Sequence, residues 1–415
     1  MKKIFFNKIL LMAALAGTVS PYIAKASSIV DIYNFPSTAS SPQAGLLDVN
    51  GILYGTTSLG GAYSGGTLFS YNPTTSQYTQ LASIYMGSDP TNRLVDVNNI
   101  LYGTTTGGGS GYGTIFSYAI GSSNTYTTNI YSFNSLTSMP TGLAYLNGVF
   151  YGTSQSGGNA NYGDLYSYNL STKTFTSIVS FGSANAGGTE AGPTSRFINI
   201  NGTLYAAMGN YNSSIYTGTI VSFNPTTGTV SALANLGYGV PAGNLLQVGN
   251  ILYGVTQNGG THTDGTIYSY NMTTGATADL FNFNGTNGKE PYSGLRDING
   301  ILYGTTFIGG ANNDGTVFAF NPANNSMSSL ESFSGANGSN PIGQLADINN
   351  ILYGSAGVSV NPNGSLYSIS NIVPSVPEPG VIYIFLAAVV TVALINWYHK
   401  TKPKKNDVST KAPIY

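Results

Sequence analysis

The 415-residue sequence has no cysteine, one tryptophan, and charged side chains at only 7% of its positions. Without thiols there are no disulfide staples and no thiolate metal centres, so a folded body must be held by packing and backbone pairing. Histidine is almost as scarce. Between residues 27 and 376 only His262 occurs, in the turn-rich loop GGTHTDGT, which confines any histidine-supported nucleophile to that loop. Positive charge is thin in the same span: Arg93, Lys173, Arg196, Lys289 and Arg296 stand against 13 carboxylates, a net of −8. Nucleic acid is therefore not an expected partner, since phosphate binding needs a cationic face. What is abundant is glycine (54) and tyrosine (31), with 41% hydrophobic residues. That is enough for a large core and too glycine-rich for a helical one, which makes the expectation all-β.

Both ends differ from the body. Residues 1–26 read as a signal peptide: Lys2, Lys3 and Lys8 precede an apolar stretch over 9–19, and Ala24-Lys25-Ala26 supplies small residues for cleavage after Ala26. The apolar stretch is too short to span a bilayer, which takes roughly 20 residues. At the other end a Pro-rich joint, 374–380, leads into the apolar run 381–398 and then a basic tail, 399–415, with Lys400, Lys402, Lys404 and Lys405. The expectation is a transmembrane helix with a cytoplasmic tail, the body lying outside the cytoplasm.

The order VPEPG (376–380), hydrophobic helix, basic cluster resembles the C-terminal sorting signal of PEP-CTERM proteins. That resemblance implies a Gram-negative type of bacterium, recognition of Pro377, Glu378 and Pro379 by an exosortase-type enzyme, and association with extracellular polysaccharide. The basic cluster departs from the family in being Lys-rich and in being followed by residues 406–415.

Between the ends, one phrase recurs. DINGILYGTT (297–306) has six relatives, and its tyrosine falls at 54, 102, 151, 205, 253, 303 and 353. A period near 50 residues is that of propeller blades. In the sixth unit GLRDIN (294–299) is expected as strand A, GILYGTT (300–306) as B, GTVFAF (315–320) as C and MSSLESF (327–333) as D. Asn299-Gly300 suits a hairpin turn that demands positive φ at both central residues, and every unit keeps such a pair. The seventh unit lacks a D strand, while a spare one, SSIVDIYNF (27–35), precedes the first unit. Moving it to the end completes the set. The expected fold is therefore a seven-bladed β-propeller of four-stranded blades over 27–373, its ring closed by the N-terminal strand so that no sheet edge is left open. Both faces of strand B should then be buried between neighbours, and the recurrent tyrosine should serve interblade packing. The units also resemble the GloVer tandem repeat of exported choice-of-anchor proteins, over most of 45–370, a family with no activity to transfer. The fourth unit departs most, with LYAAM for LYGTT.

The B-to-C and D-to-A loops should share one face of the ring, where binding residues usually concentrate. Just before strand C stand Tyr63, Tyr112, Tyr162 and Tyr216 in units one to four, then Asp264, Asp314 and Asn363 in units five to seven. The aromatic arc could stack on sugar rings while the acidic and amide arc, with Asn312 and Asn313, bonds their hydroxyls. The plainer alternative is that Asp-Gly and Asn-Gly are ordinary turn entries. Asp48, Asp96, Asp297 and Asp347 recur on the tight-turn face, where accepting turn N–H groups is a simpler role than calcium binding. A carboxylate pair, Asp264 and Asp314, would suit glycoside hydrolysis. The glycine-rich 107–113 offers no helix N-terminus for phosphate. No cofactor or metal is expected. The functional expectation is an exported, membrane-tethered or exosortase-processed, non-catalytic binder of extracellular polysaccharide or matrix. A cell-surface protein scaffold and a polysaccharide hydrolase or lyase are the alternatives.

Overall fold

The computed structural model describes residues 28–158, 161–182, 192–193, 195–210, 217–357, 362–370 and 372. The expected signal peptide, sorting motif, transmembrane helix and basic tail all lie outside the described residues. Among those that are described, no helix is long and apolar enough to cross a membrane.

Seven four-stranded antiparallel blades follow one another, and the units parse as expected to within about two residues. In the sixth blade strand A is Arg296–Ile298, B Ile301–Thr306, C Thr316–Asn321 and D Ser326–Ser332. Six of the A-to-B turns adopt left-handed conformations at both central residues, for example Asn50 and Gly51 (φ 54° and 81°) and Asn299 and Gly300 (54° and 82°), whereas in the fifth only Gly249 does (58°). Asp48 and Asp297 accept the turn N–H of Gly51 and Gly300 at 2.8 and 2.9 Å, so the recurrent aspartate is a turn residue in these two blades.

The N-terminal strand, Ser28–Asn34, closes the ring by pairing with strand C of the seventh blade, Ser365–Ser370, from Ser28↔Ser370 to Asn34↔Ser365. A register shift marks the pairing at Asp31/Tyr33, and each of the other six C–D pairs carries the same shift, as at Leu68/Phe69 and Val317/Phe318. A bulge repeated seven times turns the outer strand of every blade alike. The displaced strand thus has the geometry of a D strand as well as its place.

Buried apolar residues form seven clusters, one at each blade junction. Strand B supplies both sides: Leu53 packs toward the seventh blade with Ala346 and Tyr353, whereas the adjacent Tyr54 packs toward the second with Leu94 and Leu101. The recurrent tyrosine is accordingly buried at 54, 102, 303 and 353 and partly buried at 151, 205 and 253, and Tyr303 donates its hydroxyl to the Ile372 carbonyl at 2.6 Å. Below these clusters, threonine hydroxyls link strands B and C, with Thr57–Thr67, Thr105–Thr114, Thr256–Thr266 and Thr306–Thr316 at 2.8 to 2.9 Å.

One pairing explains the Gly of LYGTT. Gly254 lies opposite Tyr268, and a Cβ at 254 would stand 2.3 Å from the tyrosine oxygen. Gly55, Gly103 and Gly304 face Phe69, Phe116 and Phe318 as closely. In the fourth blade the pair is Ala206 opposite Val221. The divergent LYAAM is thus a compensated exchange: a larger residue on B meets a smaller one on C at the same buried place.

Candidate functional site

The loop face is tied down more firmly than its Gly- and Asn-rich sequence suggests. Each D-to-A loop turns back onto a B-to-C loop, as in Ala39–Ser40 with Leu59–Gly60 and Gly87–Ser88 with Gly107–Gly108. Lys289 and Pro341 make the corresponding bridges with Ile308 and Ala356. The residue before strand C joins one blade to the next by its main chain: the carbonyls of Tyr112, Asp264, Asp314 and Asn363 accept N–H bonds from Met139, Glu290, Asn340 and Ser41 at 2.8 to 3.0 Å. Each donor has positive φ, between 52° and 62°. These four sequence-selected residues therefore hold equivalent positions around the ring, and their side chains vary because the backbone does the joining.

Beyond that bond their surroundings differ. Tyr112 is 37% exposed, whereas Tyr162 packs against the core between the third and fourth blades. Asp264 forms an ion pair with Lys289 at 3.3 Å. Asn312 donates to the Phe333 carbonyl just past strand D, and Asn313 accepts the Gly309 N–H within its own loop, so both side chains serve the local structure. His262 is exposed. Tyr216 lies outside the described residues. Tyr63 sits three residues before Gly66 rather than directly ahead of the strand, 52% exposed, its ring edge-on to Tyr85 at 5.1 Å and 68°. Tyr85 in turn meets Tyr126 at 5.7 Å. Tyr85 (39% exposed), Met86 (50%) and Tyr126 (47%) complete an aromatic step over the first two blades that sequence reasoning located only through Tyr63. Tyr126 was missed because it belongs to the C-to-D connection, which in the second blade is long enough for Thr125 and Thr127 to pair with Ser83 of the first.

A second feature lies on the ring axis. Nine residues before each recurrent tyrosine, the seven units read Gly45, Arg93, Gly142, Arg196, Asn244, Gly294 and Gln344. Six of these positions lie just before the innermost strands, and Asn244 lies in the irregular stretch of its own, so they meet where the seven blades converge. Glycine is required where a neighbour's chain crosses: a Cβ on Gly294 would stand 2.8 Å from the Asn244 nitrogen, and one on Gly142 would stand 3.0 Å from Arg196 Cβ. The longer side chains bridge blades. Arg93 Nε donates to the Leu46 carbonyl (2.8 Å), Gln344 Nε2 to the Leu295 carbonyl (3.0 Å), and Asn244 Nδ2 to Gln344 Oε1 (3.3 Å). Asn244 Oδ1 accepts the Arg196 N–H (3.2 Å). Together with Gln43 and Asn92 they frame a polar cavity of about 150 Å³ at the loop-face end of the axis. Burial, together with repulsion from Arg196 and Arg296, pushes Arg93 down to about 9, against the pull of Asp48. Burial likewise lowers Arg196. Among the described residues no carboxylate forms an ion pair with Arg93, Arg196 or Arg296, and the Nε of Arg196 and of Arg296 is buried without a hydrogen-bond partner. The signal was present in the repeats, where arginine interrupts a position otherwise held by Gly, Asn or Gln.

The fold is that of a closed seven-bladed propeller built from one sequence repeat. A model of the Gloeobacter/Verrucomicrobia repeat matches residues 15–216 and 187–367, and the chain belongs to that family. No curated protein matches it. Among solved structures, it is similar to the extracellular domain of a hybrid two-component system from B. thetaiotaomicron, at 15% identity and TM-score 0.56, over 83% of this chain and 39% of that one. The extracellular domain of a one-component system from the same organism is similar at 13% identity and TM-score 0.52, over 83% and 40%. The chain thus spans about two fifths of the length of these structures, and what it shares with them is the fold.

Proposed function

We propose that this protein is an exported, surface-presented propeller that binds extracellular polysaccharide without cleaving it. The observation that supports this reading best is the tyrosine step of Tyr63, Tyr85 and Tyr126. Three rings, the outer two each in contact with Tyr85 and all about half open to solvent, offer apolar faces for sugar rings at little further ordering cost. Residues 1–26 would direct export, and the 381–398 segment with Pro377, Glu378 and Pro379 would tether the propeller or hand it to an exosortase-type enzyme. The two similar structures are extracellular domains, which agrees with that address. A non-catalytic role fits Asp264, whose carboxylate is engaged by Lys289 rather than left to act as an acid.

The test is binding of host exopolysaccharide and a glycan array to the full chain, with product analysis on the same samples. Saturable binding without new chain ends is expected, weakened at least about tenfold by replacing Tyr63, Tyr85 and Tyr126 together with alanine while the melting temperature holds. New reducing or unsaturated ends would reverse the non-catalytic part. Unchanged binding in the triple variant would remove the tyrosine step from consideration.

A further inference from the structure

We infer that the axial cavity framed by Arg93 and Arg196 is an anion-recognition site whose ligand is a carboxylate-bearing sugar unit, an acidic end or branch of a polysaccharide. The sugar part of this inference rests on the polysaccharide reading, whereas the anion part stands on the cavity itself.

Three of the five cations between residues 27 and 376 are Arg93, Arg196 and the nearby Arg296, brought near one another at the centre of a body that carries a net −8. A propeller body that is short of positive charge and gathers most of it on one axis, without carboxylate partners among the described residues, has built an arrangement that repels itself. Burying like charges is destabilising, and the fold itself does not require it: the same position is glycine, asparagine or glutamine in the other five blades. Such a cost is borne typically where a ligand repays it. A guanidinium offers a planar fork that matches a carboxylate, and it is less strongly hydrated than an ammonium. Around the two arginines stand the amides of Gln43, Asn92, Asn244 and Gln344, which can donate to or accept from hydroxyls on a ring that carries the carboxylate. A cavity of about 150 Å³ suits one such unit entering end-on from the loop face, and is too small for a polymer lying across it.

The test is a calorimetric and thermal-shift titration of the full chain with sodium glucuronate and sodium galacturonate, with glucose, acetate and sulfate as controls. Saturable stabilisation by a uronate is expected, with none from glucose and at least about tenfold weaker effects from acetate, the binding falling as salt is raised. In R93Q and in R196Q the uronate response should drop at least about tenfold, whereas the ligand-free melting temperature should stay level or rise because a repulsion is gone. R93K, which keeps the charge but loses the fork, should bind with intermediate strength. No uronate binding by the unaltered chain, or a uronate response in both glutamine variants as strong as that of the unaltered chain, would overturn the site. Equal binding of acetate and uronate would overturn its sugar selectivity. Polysaccharide binding by a chain that gives no uronate response would leave the surface reading intact while this inference falls. Uronate binding without any polysaccharide binding would do the reverse.

Discussion

The strands and the axis of this propeller obey opposite rules. Along strands B and C the seven units agree, or change in compensating pairs such as Ala206 with Val221 for Gly254 with Tyr268. At the axis the units differ from blade to blade, running Gly, Arg, Gly, Arg, Asn, Gly and Gln. The first region is bound by packing: each B strand is buried on both sides, so a change in volume must be answered by its neighbour. The second is bound by closure, because seven chains converging on one axis leave room for only some long side chains. Function is best sought where the repeat gives up its own symmetry, and here that is the axis and the tyrosine step.

The sharpest way to break the comparison is at the seam. Removing residues 28–34 leaves the outer edge of strand C of the seventh blade unpaired and uncovers the core around Tyr367 and Ile369. The chain should lose its cooperative melt or fall by more than about 15 °C, as read by circular dichroism. Appending the same strand after residue 370 in a circular permutant should restore it, and a melt unchanged by the deletion would show that the ring does not depend on closure.

Next in size are the compensating pairs. Gly254→Ala forces a Cβ against Tyr268 and should cost about 1–3 kcal/mol, while Tyr268→Val leaves a cavity and should cost about 2–4 kcal/mol. The double variant recreates the fourth blade's pair, so its loss in urea unfolding should be clearly smaller than the two combined. Additive losses would mean that the fourth blade is accommodated elsewhere.

Alkali should separate the packed strands from the axis. Burial raises Tyr166, Tyr268 and Tyr367 far above the ordinary 10, and raises Tyr303 to about 12 with help from the Asp347 charge. A phenol that holds its proton more tightly when folded contributes stability that is complete below pH 10 and is lost as pH rises through the folded value. The urea midpoint should therefore fall from pH 10 to 12, and a flat midpoint across that window would contradict the buried setting of these rings. The smallest effect is expected at the tight turns, where Asp297→Ala removes the acceptor for Gly300 N–H and should cost about 0.5–1.5 kcal/mol in thermal melts.

Much of this architecture was legible from residues alone. The tyrosine spacing set the number of blades, the Asn-Gly pairs placed the hairpins, and the missing seventh D strand exposed the permutation. Those features are local or periodic, so they survive in a one-dimensional text. The choice of Tyr112, Asp264, Asp314 and Asn363 found true equivalents around the ring, but their common task belongs to main-chain carbonyls, which side-chain identity does not report. Tyr85 and Tyr126 lie in different blades and are joined to Tyr63 only by the twist of neighbouring sheets.

By itself, then, the sequence determined the repeat, the strand order and the displaced closing strand, because backbone turns and alternating burial act over a few residues. Only the tertiary structure decided that Arg93 and Arg196, 103 positions apart, face one cavity without carboxylate partners. That is a consequence of ring closure, which brings the same position of seven blades to a single axis whatever their separation along the chain.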